Sequence, residues 1–396
     1  MTQTHLDYNN QIRSQLTMLE RLQTIPWPLF LIVACLGGAG VTMLYTVSQG
    51  SWDPLAIRHM QRLALMLPLG ILMALVDVRV WFRLAYPVFL GSIVLLILVQ
   101  FLGTEFNNAK RWIDLGFMLL QPSEIVQVAL ILALARYFHG LTHAEIGQPT
   151  KLVIPLLMIT VPFVLIFQQP DLGTSLKMLF IAAAIFFVAG VRWWKFALLA
   201  AVGIGLFSLG FERLVDLGLL KSYHVERIMT LLDCQDIRDE CYQIFNSVTA
   251  IGNGGLLGQG YGLGSQIQND FLPEAESDFI LAAIGEEFGF FGVMGLVVLK
   301  VLLLVMAMRI GMRSQSQFGR VLAVGIMFNF FLYLFINAGM IAGVLPVVGM
   351  PLPLVSHGGT AMLVAIGMVG LLGSVTIHHM VPIERLAGER DLLNAR

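Results

Sequence analysis

Residues 278–307 read DFILAAIGEEFGFFGVMGLVVLKVLLLVMA, a run in which apolar side chains far outnumber charged ones. A helix needs about 20 apolar residues to cross the hydrocarbon core of a bilayer, so this run is long enough to span a membrane and to tilt or project beyond it. The run therefore predicts a fold that is built from membrane-spanning helices.

The rest of the chain follows the same pattern. Of its 396 residues, 57% are hydrophobic and 12% are charged, which is about half the charged fraction of a soluble domain. The net charge of −1 argues against a nucleic-acid partner. We predict an all-α polytopic membrane protein with about ten spans. Besides 278–307, the predicted spans are 27–47, 60–77, 85–103, 122–138, 152–168, 175–191, 195–211, 320–343 and 359–378.

Basic residues in the short connections predict the orientation. The connections that carry Arg79, Arg83, Arg309 and Arg313 lie on the same side as both tails. Short connections rich in lysine and arginine stay in the cytoplasm, so both termini are expected to be cytoplasmic. The expected parts are a cytoplasmic tail at 1–26, a ten-helix domain at 27–378 and a second cytoplasmic tail at 379–396.

One connection is much longer than the others. Residues 212–277, between predicted spans seven and eight, form a large extracytoplasmic loop, and its stretch 242–264 is too apolar to be fully solvated. Part of it is therefore expected to fold back into the protein. Its glycines suit either close packing with sharp turns or a backbone cradle for a lipid-borne pyrophosphate. We also hold the hypothesis that Cys234 and Cys241 form a disulfide in this loop.

An acidic cluster ends this loop. Its acids are Glu274, Glu276 and Asp278, with Ser277 between the last two, and the apolar side chains begin at Phe279. A structural interpretation is that Ser277 or Asp278 caps the following helix. The functional interpretation is that Asp278, partly desolvated at the lipid boundary, is tuned to act as a general base.

Three further polar groups are predicted to lie on the same outer side. Together with the acidic cluster they predict a polar cavity that opens outward and receives an outward-facing substrate. No metal site is predicted. The groups are 107–124 with Lys110, Arg111, Trp112 and Glu124, then 168–175 with Asp171, and finally 345–360 with Ser356 and His357.

These motifs resemble those of the SEDS family, the shape, elongation, division and sporulation proteins of the RodA, FtsW and SpoVE type. The resemblance covers nearly the whole bundle. Its segment LPVVGMPLPLVS at 345–356 is closer to the rod-elongation branch, RodA, than to the division branch. The motifs that carry it, in chain order, are AKRWIDLG (109–116), QPSE (121–124), QPDLGTS (169–175), the glycine-rich window, FLPEAESDFILAAIGEEFG (271–289) and LPLVSHGGT (352–360).

The resemblance implies a peptidoglycan glycosyltransferase of the bacterial inner (plasma) membrane, which polymerises lipid II into glycan strands for cell-wall elongation. The family's catalytic aspartate falls on Asp278, its tryptophan on Trp112 and its QPSE glutamate on Glu124. The chain departs from the family pattern at Gln127, where a lysine is usual and an ion pair within the helix is lost. It also departs at His357, where a tyrosine is usual.

The implied mechanism is an inverting transfer. Asp278 would take the proton from a lipid II hydroxyl, which attacks a glycan strand carried on undecaprenyl pyrophosphate. Lys110, Arg111 or a divalent cation such as Mg²⁺ or Mn²⁺ would neutralise the leaving pyrophosphate. The implied partner is a class B penicillin-binding protein, a transpeptidase whose membrane helix would pack on spans such as 320–343. A lipid II flippase, a structural scaffold and a division or sporulation role remain open as alternatives.

Overall fold

The computed structural model describes residues 18–106, 109–116, 118–192, 194–196 and 240–380, with 201, 205 and 383 as single residues. Three short strands also form within these ranges: β1 (Thr104–Phe106), β2 (Ala109–Asp114) and β3 (Leu119–Leu120). The helices are α1 (Met18–Gln23), α2 (Trp27–Val47), α3 (Leu55–Leu75), α4 (Val78–Leu102), α5 (Pro122–His139), α6 (His143–Ile146), α7 (Pro149–Gln168), α8 (Leu172–Ala189), α9 (Glu240–Gly254), α10 (Ser265–Gln268), α11 (Ile280–Arg313), α12 (Gln317–Ile341) and α13 (Gly359–Ile377).

Long helices stand where spans were predicted. Among the described residues, nine of the ten predicted spans coincide with a helix, and the tenth, 195–211, falls almost wholly outside them. Seven helices are long and apolar enough to cross a membrane: α2, α4, α7, α8, α11, α12 and α13. Helices α3 and α5 are of similar length but more polar, because α3 carries Arg58 and Arg62 and α5 carries Glu124 in its first turn and Arg136 in its last. The chain is a multi-pass membrane protein.

Helix α13 lies at the centre of the bundle. In α13, 83% of the most apolar 18-residue stretch is buried in the protein, against 28% of the corresponding stretches of α4 and α7. Its glycines allow a close approach to α3: a Cβ on Gly370 would lie 2.7 Å from the carbonyl oxygen of Gly70, and a Cβ on Gly373 would lie 2.5 Å from Cβ of Ala74. Small residues are the usual device by which membrane helices pack this tightly.

The connections that carry the predicted site residues meet at one end of the bundle, which we call the loop end. Gln49 Nε2 donates to the carbonyl oxygen of Gln268 (3.4 Å), and Arg111 Nε donates to that of Gln169 (2.8 Å). The strands form a small antiparallel sheet, in the order β1-β2-β3, within one of these connections. This sheet was not part of the all-helical prediction, because three short strands in a connection leave no hydropathy signal.

Helix α11 is interrupted at Gly289, whose φ of +65° and ψ of −160° are non-helical. Residues 254–264, the glycine loop, pack against the interruption. The backbone N–H of Gln259 donates to the carbonyl oxygen of Glu286 (2.9 Å). This carbonyl lies in the last turn before the interruption, so the loop supplies a partner to a helix end that would otherwise lack one.

Glycine is required in this loop for close packing. A Cβ on Gly258, whose φ is +82°, would lie 2.1 Å from the carbonyl oxygen of Glu287, and a Cβ on Gly254 would lie 1.9 Å from that of Gly285. Because backbone packs directly on backbone, the structure favours the packing interpretation of the glycines over a pyrophosphate cradle.

The connection 342–358 folds back between the helices and is called the re-entrant loop. Buried Lys300 of α11 donates from Nζ to the carbonyl oxygen of Pro353 (2.6 Å), and His59 Nε2 of α3 lies 3.2 Å from that of Leu354. Non-helical backbone inside a membrane bundle needs such polar partners. This loop was predicted to lie on the outer side, and its residues 352–356 are buried in the protein.

The large predicted loop is described only in part, since 212–239 lie outside the described residues. Its second half forms α9 and the glycine loop, which pack against α11, as the apolar composition of 242–264 predicted. Cys241 is disulfide-bonded and Cys35 is free. Cys234, the predicted partner of Cys241, lies outside the described residues.

Candidate functional site

Asp278 lies directly before α11, half-buried at the loop end. Asn337 of α12 donates from Nδ2 to the backbone oxygen of Asp278 (2.8 Å), and a Cβ on Gly349 would lie 3.5 Å from Oδ2 of Asp278. The N-cap residue of α11 is Phe279, which makes no side-chain capping hydrogen bond. The carboxylate of Asp278 lies against the re-entrant loop.

Four other predicted residues take part in hydrogen bonds of the segment that ends at Asp278. The hydroxyl of Ser277 donates to Oε2 of Glu274 (2.8 Å), and the hydroxyl of Ser356 donates to the backbone oxygen of Ser277 (2.5 Å). The backbone N–H of His357 donates to the carbonyl oxygen of Glu276 (2.7 Å). We call Glu274, Ser277, Asp278, Ser356 and His357 the Asp278 group.

Two arginines of α3, Arg58 and Arg62, lie beside this group. The guanidinium of Arg62 is 3.4 Å from the position of a Cβ on Gly359, the first residue of α13. Within the described part of the chain, no acidic side chain forms an ion pair with Arg58 or Arg62. The N-terminus of a helix offers free N–H donors and a positive dipole end, and unpaired arginines add positive charge. Together they form a site that suits an anion.

The pKa of His357 is lowered by burial and by the charges of these arginines. Burial lowers the pKa of His357 to about 4, helped by the positive charges of Arg62 and then Arg58. The imidazole is therefore neutral near pH 7. Its Nδ1 is buried and makes no hydrogen bond in the structure, so a polar ligand atom could pair with it.

A second polar group surrounds Glu124, which is 4% exposed in the first turn of α5. The hydroxyl of Tyr333 donates to Oε2 of Glu124, and Nζ of Lys177, from α8, lies 3.9 Å from Oε1. Lys177 Nζ also lies 3.3 Å from the ring centroid of Tyr333. Gln127 cannot form the ion pair with Glu124 that a lysine at this position would form. Lys177, from another helix, provides the cation instead.

Asp171 serves mainly as a helix cap. Its Oδ1 accepts a hydrogen bond from the N–H of Thr174 (3.2 Å), and its Oδ2 accepts one from Gln121 Nε2 (3.4 Å). The N–H of Gln121 in turn donates to Oγ1 of Thr360, which itself donates to the carbonyl oxygen of Leu119. Thr360 thereby links this second group to the start of α13 and so to the Asp278 group.

The structure gives Arg111 a bracing role. Lys110, Arg111 and Trp112 lie on β2, and Arg111 donates from Nε to the carbonyl oxygen of Gln169 (2.8 Å) and from Nη2 to that of Pro170. Lys110 is exposed. The structure therefore joins Arg111 to the Asp171 connection rather than to the Asp278 group.

Sequence reasoning did not assign a role to Arg58, Arg62, Lys177, Tyr333 or Asn337. A charged or amide side chain inside an apolar span was the available signal, because such residues are costly in a membrane and tend to be functional. Among the described residues, no three His, Cys, Asp or Glu side chains come together as ligands for a metal ion.

Comparison with known proteins identifies the family of the chain. The family model for FtsW, RodA and SpoVE, described as "Cell cycle protein", matches residues 26–380. The peptidoglycan glycosyltransferase MrdB of Escherichia coli K12 is 37% identical over 324 residues, which are 81% of this chain and 85% of that protein. A probable peptidoglycan glycosyltransferase FtsW of Haemophilus influenzae is 37% identical over 74% of this chain and 73% of its own.

Solved structures agree. One, described as "Structural coordination of polymerization and crosslinking by a peptidoglycan synthase complex", is 29% identical with a TM-score of 0.77, covering 90% of this chain and 98% of that one. The rod shape determining protein RodA of Thermus thermophilus is 27% identical with a TM-score of 0.66, covering 90% and 97%.

Proposed function

The chain belongs to the family of FtsW, RodA and SpoVE, and we propose that it is a peptidoglycan glycosyltransferase that polymerises lipid II for cell-wall elongation. The observation that carries the proposal is the position of Asp278, which accepts a backbone hydrogen bond from Asn337 of α12 and lies against the re-entrant loop, where Arg58 and Arg62 are close to His357. The alignment with MrdB covers 81% of this chain and 85% of that protein, and this match supports the elongation role.

Asp278 would act as the general base. A sugar hydroxyl is a poor nucleophile near neutral pH, so a carboxylate must accept its proton as the glycosidic bond forms. The acceptor hydroxyl of lipid II would attack the anomeric carbon of the strand opposite the pyrophosphate. A single displacement of this kind inverts the anomeric centre, unlike the two-step chemistry of retaining hydrolases.

Arg58, Arg62 and the N-terminus of α13 would hold the leaving pyrophosphate. Charge-assisted hydrogen bonds from arginine to phosphate oxygens are among the strongest that a protein can offer. This assignment differs from the sequence-based expectation of Lys110 and Arg111, because Arg111 already donates to two backbone carbonyl oxygens. A divalent cation, if one takes part, would neutralise further charge on the phosphates.

We also propose the setting of this reaction. The chain would lie in the bacterial inner membrane with both termini in the cytoplasm, so that the loop end faces outward. A class B penicillin-binding protein would bind through its membrane helix. The exposed aromatic side chains of α12, Phe331 and Phe335, offer a surface for such a helix.

The test is polymerisation of purified lipid II in detergent, with the partner transpeptidase present. We expect Asp278→Asn to lower the rate by at least about 100-fold, the usual contribution of a general base. The melting temperature of the variant should stay close to that of the wild type, because the backbone contacts of Asp278 are retained.

The same assay separates the enzyme from a flippase. Detergent abolishes the two compartments that transport needs, so glycan strands formed there must come from polymerase activity. Glycan synthesis by Asp278→Asn at the wild-type rate would contradict the assignment of the general base. Absence of strands with the wild-type chain and its partner would contradict the enzyme itself.

A further inference from the structure

A basic cavity lies at the end of the bundle opposite the loop end. Helix α11 starts next to Asp278 and continues for 34 residues to Arg313, a length of about 50 Å at 1.5 Å per residue. At its far end, the last two turns of α11 enclose a cavity of about 360 Å³ together with the segment before α2 and the end of α13. The proposed glycosyl transfer does not use this cavity.

One stripe of α11 forms a wall of the cavity. The stripe consists of Met306, Arg309, Ile310 and Arg313, whose spacing of three and four residues places them on one helix face. Two guanidinium groups therefore share this wall with two apolar side chains. The rest of the lining consists of Thr24, Pro26, Thr376, Ile377 and His379.

Hydrogen bonds fix the chain segments around the cavity. The backbone N–H of Gln315, just after α11, donates to the carbonyl oxygen of His379 (3.2 Å), just after α13. Arg21 Nη1, in the segment before α2, donates to the carbonyl oxygen of Leu75 at the end of α3 (3.4 Å). The cavity is thus formed by helix ends that are held together.

The cavity carries excess positive charge. Among the described residues, no aspartate or glutamate lines it, and no acidic side chain forms an ion pair with Arg309 or Arg313. The C-terminal end of a helix is equivalent to about −0.5 of an elementary charge. The ends of α11 and α13 therefore offset about one of the two guanidinium charges, and the other is left for a ligand.

Arginines at the ends of spans ordinarily serve orientation, with their stems on apolar surface and their charged heads in water. That role needs no cavity. Here both guanidinium groups line an enclosed space together with Met306, Ile310 and Ile377. The exposed residues Leu302 and Val305 continue the same stripe of α11 toward the middle of the helix. A charged site is therefore continuous with an apolar surface.

We propose that this cavity binds an anionic phospholipid. Its phosphate would pair with Arg309 and Arg313, because guanidinium groups form charge-assisted hydrogen bonds with phosphate oxygens. Its acyl chains would run from Ile310 along the apolar stripe of α11. Basic pockets between membrane helices suit anionic lipid headgroups. A free phosphate ion would match the arginines but would leave the apolar wall uncovered.

The bound lipid would connect helices whose other ends differ in role. The phosphate would join the end of α11, which begins beside Asp278, to the end of α13 at His379. Anything that binds the folded chain alone stabilises it, so this lipid would stabilise the bundle without taking part in glycosyl transfer. The proposal is independent of the reaction assigned to Asp278.

The experiment titrates the delipidated, full-length chain in neutral detergent with dioleoyl phosphatidylglycerol or dioleoyl phosphatidylcholine, and native mass spectrometry counts the bound lipid. We expect phosphatidylglycerol to bind about tenfold more tightly than phosphatidylcholine, which has the same chains and no net charge. The double variant Arg309→Gln with Arg313→Gln should bind phosphatidylglycerol about 10–30-fold more weakly. Its melting temperature without lipid should match that of the wild type, since both side chains are exposed.

The matched control is Arg83→Gln with Arg192→Gln, which removes two exposed arginines outside the cavity and should keep the wild-type affinity. Equal weakening in the control would overturn the proposal, because general surface charge would then explain the binding. Displacement of phosphatidylglycerol by equimolar inorganic phosphate would assign the cavity to a free anion instead.

The wild type alone provides a further decision. Equal affinity for the two lipids would also overturn the proposal, and would leave the arginines to be neutralised by acids of the chain itself. The candidates for that role are Glu384, Glu389 and Asp391 of the C-terminal tail, which lie outside the described residues.

Discussion

At the scale of single residues, Glu124 keeps a positively charged neighbour although position 127, where the family usually has lysine, is a glutamine. The neighbour comes from a distant position in the chain. Gln127 lies one turn after Glu124 on α5, and both of its side-chain polar atoms are buried without partners. The positive charge comes instead from Lys177, which is 0% exposed. Residues three apart on a helix are neighbours, so a cation at either position would reach the carboxylate.

We expect Lys177→Met to lower the free energy of unfolding by about 3–5 kcal/mol, because it leaves a buried carboxylate without a counter-charge. Adding Gln127→Lys to this variant should restore much of the loss. Thermal unfolding in detergent measures both. The matched control is Lys151→Met, which removes a half-exposed pair with Glu145 (4.0 Å) and should cost less than about 1 kcal/mol. A double variant no more stable than Lys177→Met would contradict the exchange of roles.

The arginines beside α13 give a second prediction at this scale. Arg62→Gln should lower kcat/KM for lipid II polymerisation by about 10–100-fold, since a hydrogen bond to a charged group contributes about 1.5–3 kcal/mol. Lys110→Gln should change it little. Steady-state kinetics on the two purified variants decide between the arginine site and the cations of β2. If Lys110→Gln lowered kcat/KM more than Arg62→Gln did, the leaving pyrophosphate would be assigned to Lys110 instead.

At the scale of elements, the interruption of α11 and the glycine loop form one unit. The helix loses its regular pattern at Gly289, and the loop supplies hydrogen bonds to the exposed backbone. Hydropathy identified α11 as a span, because that signal is local. The interruption left no such signal, since it exists only where the distant loop packs against it.

Gly258→Ala should destabilise the protein by about 2–4 kcal/mol. Its φ of +82° is unfavourable for alanine, and the new Cβ would lie 2.1 Å from the carbonyl oxygen of Glu287. Gly252→Ala, in α9 with open space around the new Cβ, should be neutral or stabilising by up to about 1 kcal/mol. Thermal unfolding of both variants is the measurement. Equal stability of the two would mean that the loop does not pack as described.

At the scale of the whole molecule, polar function and lipid contact are separated. The Asp278 group and the two arginines lie at the loop end, while exposed apolar side chains lie on the outer helix faces. On α12, the rings of Phe328, Phe331 and Phe335 form a continuous ridge with centroid separations of 5.5 and 5.6 Å. This ridge is the surface on which we propose that the partner helix packs.

We expect the double variant Phe331→Ala with Phe335→Ala to reduce co-purification of the partner transpeptidase while leaving the isolated chain folded. The two rings are 37% and 55% exposed, so their removal opens no cavity in the bundle. Phe101→Ala, an exposed ring on α4, is the matched control and should bind the partner normally. Undiminished co-purification of the double variant would place the partner on another face.

The amino-acid sequence alone determined the class of fold, most span positions and Asp278 as the candidate base. Hydropathy and helix starts are local properties, so a run of residues is enough to reveal them. Only the tertiary structure decided that Lys177 pairs with Glu124, that Arg62 lies at the start of α13 and that the glycine loop supports α11. Each of these contacts joins residues far apart in the chain, and their partners are selected by packing rather than by sequence spacing.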